Sequence, residues 1–351
     1  MTKKSREVSL VTGACGFIGS HIVEVLAAAG HEVIAADIEA AWKTDSIPQA
    51  RYPGLVRRLA ARCETIDLAK PETLKVLPAE VDYVFHVASL FSYSATWEAL
   101  YRVNVEGTKA LLARCGGSRR LKRWFQIGAG GVYGLPSERQ NRTFTEDMAP
   151  NPTNDYLRSK WEQEFMVMEA GKRGEVKWTI VRPTTVYGPR GGYGARKLFL
   201  GMDGMAVVAA PANFKGHIPF IHVEDLARAC LYLAEHPQAE NQVFNLNDDT
   251  DMTNLEYMET MARLLHRPFV KLPPVPAKKL IDALMPALRF QHQFCRDVLK
   301  KQSPVEPDMI AYFPEDFRYS NEKLKKTGFT FRYPDARMAF PSTLQWYREN
   351  G

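Results

Sequence analysis

The sequence predicts an α/β protein, a doubly wound parallel sheet with a smaller lobe towards its C-terminal end, on three observations. A glycine turn, Thr12-Gly13-Ala14-Cys15-Gly16-Phe17-Ile18-Gly19-Ser20-His21, stands between the apolar run of Val8, Leu10 and Val11 and a helical pattern, Ile22, Val23, Val25 and Leu26, that reaches about Ala29. Strand-like and helix-like segments then alternate to about residue 183, which implies a parallel sheet covered on both faces. Beyond that point the pattern loosens around Pro273-Pro274-Val275-Pro276 and around Pro304, Pro307 and Pro314, so short elements are expected there, packed over the carboxyl edge of the sheet. With 351 residues, 45% of them hydrophobic, the chain can bury the core of one large or two intimately packed units.

Taken in order, the first unit carries the most information. Gly13, Gly16 and Gly19 let the backbone turn tightly and let a pyrophosphate approach main-chain N–H groups at the positive end of the helix, beside Phe17 and Ile18. A second strand, Glu32-Val33-Ile34-Ala35-Ala36, ends in Asp37, about 20 residues on, where a ribose-binding carboxylate belongs. The unit is therefore expected to hold a dinucleotide, NAD rather than NADP. Asp37 would accept hydrogen bonds from ribose hydroxyls and repel a 2′-phosphate, and Ile38-Glu39 offers no compensating arginine.

After an irregular stretch holding Pro48 and Pro53, Glu64-Thr65-Ile66-Asp67-Leu68 reads as a strand end that presents Asp67 and Leu68 to an adenine. Val81 to Ala88 is the next strand, running on through Val87, Ala88 and Ser89, and a helix is expected from Val105 to Arg114. Trp124 to Gly128 is a strand, Tyr156 to Glu169 a helix, and Trp178 to Val181 a strand that runs into Arg182-Pro183. A seventh strand is expected to end at Phe220-Ile221, followed by a helix from Asp225 to Ala234. The dinucleotide unit should span 1–183, with a strand and helix near 218–247 returning to it, and 184–217 with 248–351 should form the substrate lobe.

The formal charge of +6 is scattered over short basic pairs without interleaved aromatics, which reads as solvated helix ends and argues against a nucleic-acid partner. The five cysteines are widely spaced with no close pair suited to a metal or to redox work, and the first residues lead into a strand without an apolar leader. A cytoplasmic protein with reduced thiols and no metal is expected. No apolar run is long enough to span a bilayer. From Lys278 to Phe294, Leu280, Ile281, Leu284, Met285 and Leu288 group behind two lysines; packing into the lobe is the first reading of this helix, and grazing a membrane surface the second.

Tyr156-Leu157-Arg158-Ser159-Lys160 places a phenol and an ammonium one helical turn apart, where a cation can favour the phenolate of a group whose ordinary pKa is about 10. With Asn104-Val105-Glu106-Gly107-Thr108, His86-Val87-Ala88, Val132-Tyr133-Gly134, Arg182-Pro183-Thr184-Thr185-Val186-Tyr187-Gly188-Pro189 and Phe220-Ile221-His222-Val223-Glu224-Asp225, the chain resembles the extended short-chain dehydrogenase/reductases of the epimerase and 3β-hydroxysteroid dehydrogenase kind. The resemblance covers nearly the whole length and implies a Rossmann fold, bound NAD and hydride transfer to or from a carbinol carbon. It implies Tyr156 as the general acid/base and Lys160 as its modulator and a ribose ligand. Asn104 would support the active-site backbone, and Pro183 would brace the nicotinamide. Asn104 also reads simply as the cap of a helix at 105, and Pro183 as the end of a strand. His86 and His222 read as sheet-edge packing, having no ligand partner at metal-binding spacing.

Two departures from that pattern bear on chemistry. Where the family usually carries a Ser or Thr whose hydroxyl binds the substrate oxygen, this chain has Ala129, followed by Gly130 and Gly131, which argues against a sugar 4,6-dehydratase. Where nucleotide-sugar epimerases hold a diphosphate with an arginine, the chain has His217-Ile218-Pro219. Leu90, Phe91, Tyr93, Gly130, Tyr187 and Ile218 are the expected substrate contacts, an apolar lining that favours a hydrophobic alcohol or ketone, sterol-like or long-chain. The alternatives are a nucleotide-sugar 4-epimerase using Arg182, Arg190, Arg196 and Lys197, and a non-catalytic NAD sensor or scaffold suggested by Ala129. The resemblance also implies a homodimer built on two helices per subunit, Val105 to Arg114 and Tyr156 to Glu169; the stripe of Leu157, Trp161, Phe165 and Met168 is a candidate contact, and burial in the subunit's own core explains it equally well.

Overall fold

The computed structural model describes residues 6–46, 50–138, 143–299, 306–312 and 314–350; Pro48, Pro304 and the Lys300-Lys301 pair lie outside the described residues. Seven strands form the main sheet: β1 (Val8–Thr12), β2 (Glu32–Asp37), β3 (Arg62–Thr65), β4 (Tyr83–His86), β5 (Arg123–Ile127), β6 (Trp178–Pro183) and β7 (Gln242–Leu246). All pair in parallel in the order β7-β6-β5-β4-β1-β2-β3.

Because successive side chains of a strand point to opposite faces, each central strand supplies two cores. Leu10, Val84 and Trp124 face α2 (Gly107–Cys115) and α3 (Asp155–Lys172), meeting Leu111, Cys115, Val167 and Ala170. Val11, Phe85 and Phe125 face α1 (Phe17–Ala28) and α4 (Val223–Glu235), meeting Ile22, Val23, Leu26, Leu226, Ala229, Cys230 and Leu233. The strand order reverses between β1 and β4, and the crevice outside the carboxyl ends of these two strands is where such sheets bind ligands. A second apolar cluster joins Tyr187, Phe199, Phe220, Met252, Tyr257, Met261, Phe340, Leu344 and Tyr347. It draws on α5 (Asn254–Leu264) and the last helix, Phe340–Asn350.

Several sequence expectations are corrected. Phe220–His222 is not the seventh strand of the sheet; it pairs in parallel with Thr185–Tyr187 in a separate two-stranded unit. The seventh strand is β7, hidden in the sequence because Asn245 interrupts its apolar run; that side chain is buried among Tyr133, Phe144 and Ser320. The helix expected to open at Val105 is preceded by helical turns from Trp97, with a π-helical stretch at Tyr101–Glu106, so Asn104 lies inside the helical run and caps nothing. The helix Ala277–Asp297, α6, forms as expected, but of its five grouped apolar residues Ile281, Met285 and Leu288 are partly covered while Leu280 and Leu284 stand in solvent.

Candidate active site

The glycine turn joins β1 to α1 by contacts that leave no room for side chains. Gly13 has φ +66°, and a Cβ there would lie 2.9 Å from the Ala88 nitrogen at the end of β4. A Cβ at Gly19 would overlap the Gly13 carbonyl oxygen, so the first turn of α1 closes directly on the loop. No side chain caps α1 at Gly16, leaving its first amides, around half-buried Phe17 and Ile18, available to an anion. Asp37 stands beside this turn: its carboxylate accepts from the Cys15 (2.9 Å) and Ile38 (2.8 Å) amides, and burial raises its pKa. Asp67 accepts from the Ala69 amide, and Leu68 is buried against Gly107. The Val87 and Ala88 amides both donate to the Thr12 hydroxyl, while Ser89 and Leu90 form the half-buried continuation.

Asn154 opens α3 by accepting from the Leu157 amide, and the helix carries Tyr156 and Lys160 inward, not on the surface as their spacing alone suggested. The Tyr156 ring meets Phe91 (4.9 Å) and Tyr93 (5.6 Å) edge-on, and packs in one cluster with Leu90, Leu100, Leu157 and Ala129. Burial, with the neighbouring Tyr312, raises its pKa above the ordinary tyrosine value, so the phenol is held neutral. This runs against the expected lowering by Lys160. The Lys160 ammonium instead donates to the Ile127 carbonyl (2.8 Å) and the Gln163 side-chain oxygen (2.5 Å).

Behind Lys160 lies a buried polar network that the sequence reading missed. Gln163 donates to Thr108 (2.8 Å) and contacts His86 (3.1 Å); His86 in turn contacts Thr108 and Thr12, each at 2.8 Å. His86 is therefore not sheet-edge packing but the link between β1, α2 and α3, and burial followed by the Lys160 charge lowers its pKa to about 3. Asn104 spans the same region: its amide bonds the Leu90 backbone through both N–H and C=O and donates to Ser159 (2.9 Å), whose hydroxyl donates to the Tyr156 carbonyl. A polar residue inside each buried strand or helix face, His86 and Gln163, was the available signal.

Burial pulls the Lys160 amine down to about 8, partly opposed by the Glu164 charge. Unfolded lysine keeps its proton to about 10.4, so between these values the unfolded chain binds more protons and folding stability rises with pH, by roughly 3 kcal/mol in all. Urea midpoints of the wild type, taken relative to Lys160→Met, should therefore climb between pH 8 and pH 10; a flat difference would contradict the buried ammonium.

Ala129 stands at the mouth of a tight 3₁₀ turn, Gly130–Tyr133, where the Tyr319 hydroxyl donates to the Gly130 carbonyl (3.1 Å) and a Cβ at Gly130 would press on the Pro183 carbonyl. Two expected substrate contacts are elsewhere. Tyr187 is fully buried in the second cluster against Phe199 and Phe220, and Ile218 packs on that same cluster, because both belong to or adjoin the separate strand pair. Arg182 is committed too: its guanidinium donates twice to Glu164 (2.9 and 2.8 Å), is almost fully buried, and lies over the Tyr133 ring. Arg190 is tied to Glu24 and His21 on α1. His222 caps α4 and lies against Tyr333 in the separate strand pair, not at the edge of the main sheet. Among the described residues no group of three or more His, Cys, Asp or Glu side chains is placed to hold a metal.

Residues 9–246 match the NAD dependent epimerase/dehydratase family. The chain is 26% identical over 294 residues to UDP-glucose 4-epimerase of Vibrio cholerae, covering 80% of this chain and 83% of that protein. It is 24% identical over 363 residues to dihydroflavonol 4-reductase of Hordeum vulgare, covering 97% and 89%. The UDP-glucose 4-epimerase of Thermus thermophilus, solved in complex with NAD, shares the fold at a TM-score of 0.68 with 22% identity, covering 98% of this chain and all of that one. The uncapped α1 amides, the glycines with no room for a Cβ and the carboxylate of Asp37 fit that cofactor. The chain belongs to the NAD-dependent epimerase/dehydratase family, an extended short-chain dehydrogenase/reductase with a Rossmann sheet and NAD as its cofactor.

Proposed function

We propose that the protein interconverts a secondary alcohol and a ketone on a hydrophobic compound, with Tyr156 as the proton carrier. The observation that carries this reading is the surround of Tyr156: Leu90, Phe91, Tyr93, Leu100, Leu157 and Ala129 are all apolar or aromatic. The two arginines nearest in sequence to a diphosphate role, Arg182 and Arg190, are held by Glu164 and Glu24. The glycine turn, Asp37, Asp67-Leu68, Val87-Ala88-Ser89 and Pro183 would hold NAD, which supplies or accepts the hydride when bound. Tyr156, kept neutral by burial, is set to donate its hydroxyl proton to a carbonyl oxygen on reduction and to recover it in the reverse reaction. Lys160 and Asn104 act as positioning residues, fixing α3 and the Leu90 backbone.

Similarity to a UDP-glucose 4-epimerase favours a second reading, a nucleotide-sugar 4-epimerase. It requires diphosphate contacts from Arg196 and Lys197 in place of Arg182 and Arg190. A panel of sterols, long-chain alcohols and ketones, and UDP-sugars separates the two: we expect cofactor turnover with an apolar compound. Appearance of an epimerised UDP-sugar without net cofactor change would reverse the order, and NAD binding with no turnover of any kind would point to a sensor.

The small residue at 129 leaves the substrate oxygen with one hydroxyl donor where the family resemblance implies two. Restoring it, Ala129→Ser should raise turnover at least roughly tenfold, given that one such donor is worth about 10²- to 10³-fold. Unchanged or lower turnover in that variant would mean that Ala129 makes room for a bulky substrate.

The homodimer is part of the same proposal. On α3, Phe165 is 47% exposed with Trp161 and Met168 half-buried beside it, whereas Leu157 turns into the Tyr156 cluster. Light scattering at micromolar concentration should return the mass of two chains, and Phe165→Glu that of one. The five cysteines are free thiols, in keeping with the cytoplasm as its compartment.

A further inference from the structure

The turn that follows Ala129 begins with two adjacent glycines, Gly130 and Gly131, in 3₁₀ backbone. Glycine gives up more conformational freedom on folding than any other residue, so contacts from outside are needed to hold such a turn in one shape. Its own hydrogen bonds are short-range, from the Val132 amide to the Ala129 carbonyl (3.2 Å) and from the Gly134 amide to the Gly131 carbonyl (3.0 Å). Leu157 packs over Gly131, where a Cβ would lie 2.9 Å from its Cδ2.

Tyr319 grips both ends of this turn. At the first end its hydroxyl donates to the Gly130 carbonyl (3.1 Å), and a Cβ on Gly130 would lie 3.3 Å from its Cε1. The ring therefore stands where a side chain on residue 130 would stand. At the other end it meets the Tyr133 ring (6.1 Å), and Phe144 joins the two, stacked on Tyr133 (5.2 Å) and tilted against Tyr319 (5.1 Å). The Tyr319 backbone is itself held. Arg318–Tyr319 pairs in parallel with Thr143–Phe144, and the Tyr319 carbonyl accepts from the Asn247 side-chain amide (3.0 Å) just beyond β7. Burial raises the pKa of the phenol, so the hydroxyl stays a donor.

The gripped turn borders the reacting group. Ala129 packs on the Tyr156 cluster, and a Cβ on Gly130 would lie 3.0 Å from the carbonyl oxygen of Pro183, one of the residues proposed above to hold NAD. Tyr312, whose ring meets Phe317 (5.5 Å), neighbours both phenols closely enough to raise the pKa of Tyr156 and of Tyr319. We propose that Tyr319, 189 positions after Gly130, is a positioning residue of the Tyr156 site: it clamps the turn and so fixes residue 129, and the substrate oxygen beside it, against Tyr156. The clamp stands on the contacts alone; its effect on turnover rests on Tyr156 being the proton carrier. A displacement of about 1 Å in such a site can cost about 10²-fold in rate.

Tyr319→Phe keeps the ring and removes only the hydroxyl. Amide hydrogen exchange over 129–134, followed by mass spectrometry on the full chain with NAD and no substrate, should run at least about fivefold faster in this variant, as the loss of one hydrogen bond allows. Exchange in α1 and α4 should stay as in wild type. On whichever compound of the panel the wild type turns over, kcat should fall at least about tenfold, with KM and NAD affinity held within about twofold. Unchanged exchange at 129–134 would overturn the clamp, and faster exchange throughout the chain would reduce Tyr319 to a general support of the fold. A rise in KM at constant kcat would make it a wall of the pocket and end the positioning role. Turnover of a UDP-sugar alone, or of nothing, sinks the apolar-substrate reading, and the exchange result still decides the clamp.

Discussion

Tyr156→Phe is expected to lower turnover about 10³- to 10⁴-fold, the upper part of what a positioned proton donor contributes, while leaving NAD affinity unchanged. The reason is local. The ring is fixed by Phe91, Tyr93, Leu100 and Leu157, contacts that phenylalanine keeps, and only the hydroxyl is lost. Because burial keeps that hydroxyl protonated, its removal takes away the acid that ketone reduction needs. Steady-state rates in the ketone-reducing direction, with NAD titration alongside, give the comparison. A loss smaller than about tenfold would remove Tyr156 from proton transfer, since even a modest general acid is worth about 10².

Glu164→Ala should destabilise the fold by about 3–5 kcal/mol, because it strands the Arg182 guanidinium in the interior. Both side chains are almost completely buried and meet through two hydrogen bonds between α3 and β6. The pair is tightly enclosed: a Cβ at Gly128 would run into the Glu164 carboxylate, and the Tyr133 ring lies under the guanidinium. Replacing both members together, Glu164→Met with Arg182→Met, should recover much of the loss, as apolar substitutes for a buried pair often do. Urea denaturation of the two singles and the double forms the cycle. Additive losses would show that the two residues act independently and that the pair is not what joins α3 to β6.

The same pair shows where reading the sequence stops. Arg182, beside Pro183 at the end of a strand, was a reasonable diphosphate ligand, and its commitment to Glu164 follows only from how α3 packs on the sheet. The apolar character of Tyr187 and Ile218, which predicts a substrate contact, suits a core equally well. Phe220–His222 has the composition of a sheet strand, and nothing local tells which partner it takes; the fold pairs it with Thr185–Tyr187. On α6, hydropathy alone could not separate a face that meets the protein from one that meets solvent.

What the sequence determined by itself was local. The glycine turn at 13–19, Asp37 at the end of the next strand, and Tyr156 with Lys160 one helical turn apart are set by short-range geometry, and they suffice for a parallel α/β fold that binds NAD. The tertiary structure decided everything that depends on residues far apart in the chain. It buried Lys160 and joined it through Gln163 to His86, 77 positions before Gln163, and so set its titration near pH 8. It also gathered Ala129, Leu90 and Tyr93 around Tyr156 and left one stripe of α6 in water. Periodicity records which side chains share a face; burial and electrostatics depend on what the fold brings against that face.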